Sequence, residues 1–168
     1  MSEEPLAVKT MSLRKGSMKE LSILQSLDHP HIVKLLFYHK SDKELHLLCE
    51  KMAITLYDRL DHEGPIELDE ALFLAVQLFE ALDYLEDELV LHRDIKPTNI
   101  LLNETCRLLK ICDFGCAKRL VDETELNSSY MCSRFYRAPE LLLGLETYDY
   151  KVDVWSAGCV LVEMLTAR

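Results

Sequence analysis

The stretch that most constrains this chain is His92-Arg93-Asp94-Ile95-Lys96-Pro97-Thr98-Asn99, set between the apolar triplets Leu89-Val90-Leu91 and Ile100-Leu101-Leu102. Two short buried strands are expected to hold a polar loop between them, as suits side chains that must be placed rigidly and still reach solvent. Within that loop Asp94 can accept a proton, Lys96 can neutralise negative charge, and Asn99 can offer an oxygen to a metal ion.

The 168 residues, 49% of them apolar, suffice for a globular core. No apolar run is long enough to span a bilayer. The acidic start, Met-Ser-Glu-Glu-Pro, does not read as a signal peptide. The six cysteines contain no C-x-x-C pair, and a reducing compartment with free thiols is expected. A zinc site is not expected: His29 and His31 flank Pro30 in a turn-like segment and read as surface or capping residues. The net charge of −10 argues against nucleic acid and anionic membrane as partners. The basic residues Lys19, Arg93, Lys96, Lys118, Arg134 and Arg137 nevertheless gather around the motifs, which suggests a locally held anion. Arg119 reads as an ordinary solvated charge.

Pro5 to Thr10 reads as a strand with Lys9 near its end. Ser17 to Leu27 has helical spacing, with Glu20, Ile23, Leu24 and Leu27 on one face. A carboxylate on such a stripe needs a partner, and Lys9 is the candidate. Asp28-His29-Pro30 ends the helix. Ile32 to Tyr38 and Glu44 to Glu50 read as strands around a polar turn. The pattern becomes helical from Lys51, breaks at Gly64-Pro65, and resumes in a helix capped by Asp69 and running to about Asp87. That helix is apolar nearly all round, which places it in the middle of a domain. The strand Leu108 to Cys112 then leads into Asp113-Phe114-Gly115, and Ala138-Pro139-Glu140 follows.

H-R-D-x-x-x-x-N, followed by D-F-G and A-P-E in order, resembles the catalytic segments of protein kinases. Leu6-Ala7-Val8-Lys9 resembles their lysine strand more loosely. The resemblance implies an α+β, two-lobed kinase fold, incomplete here. Residues 1–52 would form part of an N-terminal lobe of antiparallel strands and one helix. Residues 53–168 would form part of a mainly helical C-terminal lobe. It implies ATP and Mg²⁺ as cofactors. Asp94 would accept the proton, Lys96 would steady the γ-phosphate, and Asn99 and Asp113 would hold Mg²⁺. Lys9, set by Glu20, would hold the α- and β-phosphates. The backbone from Glu50 to Met52 would bind the adenine behind Cys49, although those residues read equally well as the plain end of a strand.

Ser129 to Leu142, Ile111 to Lys118 and Val152 to Leu161 look very like the glycogen synthase kinase-3/shaggy family. That resemblance implies a serine/threonine kinase preferring protein substrates already phosphorylated nearby. Lys19, Arg93 and Lys118 match the positions that receive the priming phosphate. Lys19 departs from the usual arginine, which keeps the charge and loses bidentate geometry. Tyr130 matches a tyrosine these enzymes phosphorylate on themselves. Asp153 matches an aspartate that opens a buried helix and braces the His92-Arg93 turn. Scaffold-protein partners and a cytoplasmic and nuclear location are implied as well. The sequence shows neither the Gly-rich loop that precedes the lysine strand nor the later large-lobe helices, docking surface included. Two readings follow: a kinase, or the core of one, and a weak or inactive fragment that binds phosphopeptides or partners.

Overall fold

The computed structural model describes residues 5–120 and 133–168. Tyr130 lies outside the described residues. Three antiparallel strands come first: β1 (Leu6–Ser12), β2 (Leu35–Lys40) and β3 (Glu44–Glu50), in the order β1-β3-β2. Side chains alternate across a strand, and the register sets Lys9 opposite Leu47 and Ala7 opposite Cys49. Ala7, Lys9 and Met11 therefore share the inward face with the buried Leu45 and Leu47, while Val8 stays exposed. Helix α1 (Lys15–Ser26) adds Leu21, Ile23 and Leu24 to the same core, and Glu20 is buried beside them.

Several boundaries move. Strand β1 continues past Thr10 to Ser12 because β3 offers partners as far as Glu44. Ile32 and Val33 do not join β2. The loop they occupy instead docks on Ile111, through Val33 N–H to the Ile111 carbonyl (2.9 Å) and Ile111 N–H to the His31 carbonyl (2.9 Å).

The second part is built around helices. β4 (Ile54–Thr55), β6 (Ile100–Leu102) and β7 (Leu109–Ile111) form a small sheet in the order β4-β6-β7. Helix α2 (Leu56–Glu63) is capped by Thr55, whose hydroxyl oxygen accepts the Asp58 N–H at 3.0 Å. Gly64, at φ 77°, ends it with a conformation that glycine alone adopts freely. Helix α3 (Leu68–Asp87) starts from Glu67, so Asp69 lies in its first turn rather than at the cap. Helix α5 (Lys151–Thr166) packs on α3, and Ala71, Leu74, Ala75, Leu78 and Ala81 share one core with Ala157, Val160 and Met164 of α5. Small residues let the two axes approach closely. The expectation of burial on every side is wrong for α3: Leu72, Phe73, Val76 and Phe79 are exposed, as are Val154 and Trp155 of α5. Hydrophobic spacing reports how much of a helix is apolar, and among the described residues one face only is covered.

β5 (Val90–Leu91) pairs with β8 (Lys118–Arg119). Leu89 is not part of that strand. It turns the chain out of α3 at φ 57° and is half exposed. The short helix α4 (Pro139–Leu142) packs Leu141 into a second cluster with Leu91, Leu120, Tyr148 and Val152. Among the described residues no helix is long and apolar enough to cross a membrane.

Candidate active site

The polar loop is held from beneath. Asp153, in the first turn of α5 and 3% exposed, accepts the N–H groups of His92 (2.7 Å) and Arg93 (2.8 Å). Arg93 consequently sits at φ 65°, a region non-glycine residues rarely occupy. Burial pushes the Asp153 carboxyl above the usual carboxylate value, against the opposing pull of the His92 and Arg93 N–H groups and the Arg93 charge. The His92 ring reaches the Cys112 carbonyl through Nε2 (3.0 Å) and meets Phe114 edge-on at 4.9 Å. These contacts fix the loop against the Asp113-Phe114-Gly115 turn.

Within the loop, Asp94 is the hub. Its Oδ2 accepts from Lys96 Nζ (2.7 Å) and Asn99 Nδ2 (2.9 Å), and Asn99 Nδ2 also donates to the Asp94 carbonyl (2.8 Å). Both partners of that amide nitrogen are acceptors, so Asn99 Oδ1 is turned away from Asp94. Ser133 joins from across the chain. Its N–H and hydroxyl donate to Asp94 Oδ1 (3.3 and 3.2 Å), and its hydroxyl accepts from Lys96 (3.1 Å). Sequence reasoning gives Ser133 no catalytic place, because no local pattern links residues 39 positions apart.

The second cluster is Lys9, Glu20 and Asp113. Lys9 Nζ donates to Glu20 Oε1 (2.6 Å) and to Asp113 Oδ1 (2.7 Å). Burial works against the lysine's charge, but the bonds to Asp113 and Glu20 outweigh it and hold its pKa above the ordinary value. Asp113 responds in the opposite sense. Burial raises its carboxyl, and the Lys9 bond and charge bring it below the usual carboxylate value. Asp113 also adopts a left-handed backbone (φ 62°) and accepts the Gly115 N–H at 3.2 Å. Gly115 keeps this corner open: a Cβ on it would stand 3.1 Å from Asp113 Oδ1 and 3.4 Å from Glu20 Oε2.

Lys9, Glu20 and Asp113 border a cleft of about 370 Å³ whose apolar walls include Ala7, Val33, Leu47, Cys49 and Leu101. Glu50 and Met52 lie along its edge. The Glu50 N–H is already donated to the Lys34 carbonyl (3.1 Å), and its carboxylate takes the Lys34 N–H (2.7 Å) and Lys110 Nζ (2.8 Å). Cys112 N–H donates to the Asn99 carbonyl (2.9 Å), so the residues carrying the Asn99 amide and the Asp113 carboxylate are linked through adjacent backbone. One carboxylate and one amide oxygen suit a magnesium ion, which takes its other ligands from phosphates and water. Among the described residues no group of three or more His, Cys, Asp or Glu side chains could hold a metal by itself.

Arg93 touches the turn Phe114–Cys116, Lys118 follows that turn in the chain, and Lys19 belongs to the helix that packs against it. Arg93 Nε donates to the Cys116 carbonyl (2.8 Å), and the Arg93 side chain is buried against Tyr148. Lys118 faces Leu91 on the β5–β8 ladder. Lys19 is exposed on α1, which packs against that turn.

The protein kinase domain family matches residues 2–168. Glycogen synthase kinase 1 of Pyricularia oryzae is 42% identical, over 99% of this chain and 45% of its own length. Protein kinase gsk31 of Schizosaccharomyces pombe is 45% identical, over 97% and 45%. Serine/threonine-protein kinase RIM11/MSD1 of Saccharomyces cerevisiae is 41% identical, over 99% and 48%. The chain thus spans about half the length of the curated relatives it matches.

Proposed function

The chain belongs to the protein kinase family, and from that premise we propose that it transfers the terminal phosphoryl group of ATP to serine or threonine hydroxyls of proteins, as a kinase of glycogen synthase kinase-3 type. The observation that carries the reading is the pairing of two clusters, Asp94–Lys96–Asn99–Ser133 and Lys9–Glu20–Asp113, linked through the Asn99–Cys112 backbone bond. Asp94 takes the proton of the acceptor hydroxyl, and Lys96 offsets negative charge on the group in transfer. Lys9, oriented by Glu20, binds the inner phosphates, and the cleft walls take the base. Asn99 Oδ1 and Asp113 would hold Mg²⁺, which when bound neutralises phosphate charge.

Priming phosphate recognition is part of the proposal. Lys19, Arg93 and Lys118 receive an anion beside the Phe114–Cys116 turn. The buried bonds of Arg93 leave it a supporting part, and Lys19 and Lys118 supply the further positive charge.

The test is titration of the chain with Mg·ATP, with Asp113→Ala as control, followed by phosphotransfer to matched peptides with and without a priming phosphate. Saturable binding lost in Asp113→Ala, and transfer lost in Asp94→Asn, support the reading. Binding indifferent to Asp113, or transfer that survives Asp94→Asn, overturns it. Equal rates on the two peptides overturn the priming part alone.

A further inference from the structure

Arg119 has a place that its sequence context does not suggest. Its guanidinium stands between the ends of two helices. Nη2 donates to Ser26 Oγ at 2.7 Å, and Ser26 is the last residue of α1. Nη1 donates to the Glu88 carbonyl at 2.5 Å, and Glu88 is the residue that closes α3. The Glu88 carboxylate lies 3.9 Å from the same nitrogen. Neither helix carries a basic residue in its own last turn. The negative ends of both helix dipoles therefore lie against one cation supplied by a third element. Ser26 passes the connection into its helix by donating to the Ile23 carbonyl at 2.8 Å.

The three joined elements are those that must stay in register for the cleft to work. α1 carries Glu20, the partner of Lys9. β8 follows the turn that begins at Asp113, and its partner β5 leads into the His92–Asn99 loop. α3 delivers the chain to β5. A second tie reaches α3 from beyond the end of α1: Asp28 N–H donates to the Tyr84 hydroxyl (3.0 Å), and the His29 ring stacks on Tyr84 at 4.9 Å. That tie acts through the following loop, whereas Arg119 acts on the helix itself. The Arg119 side chain is 41% exposed, so solvent weakens its charge interactions and the two short directional bonds matter most.

We propose that Arg119 is a positioning residue that seats the end of α1 against β8 and α3, and thereby holds the Glu20 carboxylate where Lys9 and Asp113 meet. The role rests on the reading of Lys9, Glu20 and Asp113 as the nucleotide site, and its test has an arm independent of that reading. Hydrogen exchange is followed by mass spectrometry on the full chain as wild type, Arg119→Ala, Arg119→Lys and Ser26→Ala. Loss of both bonds raises exchange across α1 by about three- to tenfold, while the β6–β7 hairpin is unchanged. Arg119→Lys, which keeps the charge and one bond, restores part of the protection. Ser26→Ala shifts it less and in the same direction.

The second arm is the dissociation constant for Mg·ATP. It rises in Arg119→Ala, and the same substitution adds nothing in a Glu20→Gln background, where the carboxylate to be positioned is already gone. Wild-type exchange rates across α1 in both Arg119→Ala and Ser26→Ala overturn the proposal whatever the nucleotide does. An undiminished Arg119→Ala effect in the Glu20→Gln background overturns the route through Glu20. A wild-type chain that binds no nucleotide sinks the kinase reading instead, and the exchange arm still decides whether Arg119 seats the helix.

Discussion

Replacing Asp153 with alanine tests whether the His92-Arg93 turn is held by the buried carboxylate beneath it. The two oxygens of that carboxylate are the acceptors of the His92 and Arg93 N–H groups, at 2.7 and 2.8 Å, and all three residues are buried. Alanine leaves both donors without an acceptor. Each buried donor left unmet costs about 1–3 kcal/mol, which gives about 2–6 kcal/mol for the pair. Relaxation of Arg93 out of its left-handed backbone returns about 1 kcal/mol, leaving a net loss of about 1–5 kcal/mol. The upper part of that range approaches the whole net stability of a small domain, about 5 kcal/mol. Asparagine at this position keeps the shape and one acceptor oxygen but turns its NH2 against the second N–H, so Asp153→Asn also loses stability. The assay is urea unfolding followed by circular dichroism and by the fluorescence of Trp155, the single tryptophan, which lies in the same helix turn. An Asp153→Ala midpoint and slope equal to wild type would refute the reasoning, because the two N–H groups would then have found other acceptors at no cost.

Four shorter expectations accompany it. Gly115→Ala crowds the Asp113 carboxylate, which must give by a few tenths of an ångström, while Glu20 is met only at ordinary contact distance; Mg·ATP affinity falls by a few-fold, measured by calorimetry, with a smaller change in unfolding midpoint. The Lys9–Asp113 pair stabilises the fold over a plateau that ends on both sides: the lowered Asp113 carboxyl contributes above its unfolded value near 3.8, and that contribution is lost as pH falls through the lower folded value. The raised Lys9 ammonium contributes below 10.5 and loses its contribution as pH rises through the higher folded value, so urea midpoints of wild type should decline at both ends and Asp113→Asn should show a shallower acid-side decline, the remainder coming from other lowered carboxylates such as Asp149. Ser133→Ala removes the hydroxyl that joins Asp94 to Lys96, and peptide phosphotransfer slows about tenfold with nucleotide affinity unchanged. Burial pushes the Cys112 thiol up to about 12, so at neutral pH its alkylation, read by mass spectrometry, runs about tenfold or more slower than that of a solvated thiol.

What the sequence discloses and what it withholds separate along a physical line. Glu20 and Lys9 are legible together, because an acid on an apolar stripe demands a partner and the preceding strand offers one. The order of Asp94, Asn99 and Asp113 is legible because apolar triplets bracket their loops. The α3 surface is misread, since a run of apolar residues does not say which of its sides another element will cover. His29 and His31 look like isolated surface or capping residues. In the fold His29 stacks on Tyr84, and His31 reaches the Leu109 carbonyl (3.0 Å) and Glu80 (3.3 Å), so the pair tacks the loop after α1 onto α3 and β7. Gln77 does similar work from inside α3, accepting the Leu109 N–H (2.9 Å) and donating to the Arg107 carbonyl (2.9 Å).

Ser133, Arg119 and Gln77 share one trait: each joins elements that are distant along the chain, and each chooses its partner only once those elements have packed. Periodicity and local motifs describe an element against its own neighbours, so a residue acting between elements leaves no periodic trace. The two clusters of the candidate site depend on such residues. Asp94 owes its surroundings partly to Ser133, 39 positions further along the chain, and Glu20 owes its seat to a helix end that Arg119 touches. Both dependencies rest on exposed or half-buried polar contacts, which water competes for. The geometry of the site is therefore softer at Ser133 and at the end of α1 than at the buried Asp153 brace, and substitutions there should change catalytic alignment more than the stability of the fold.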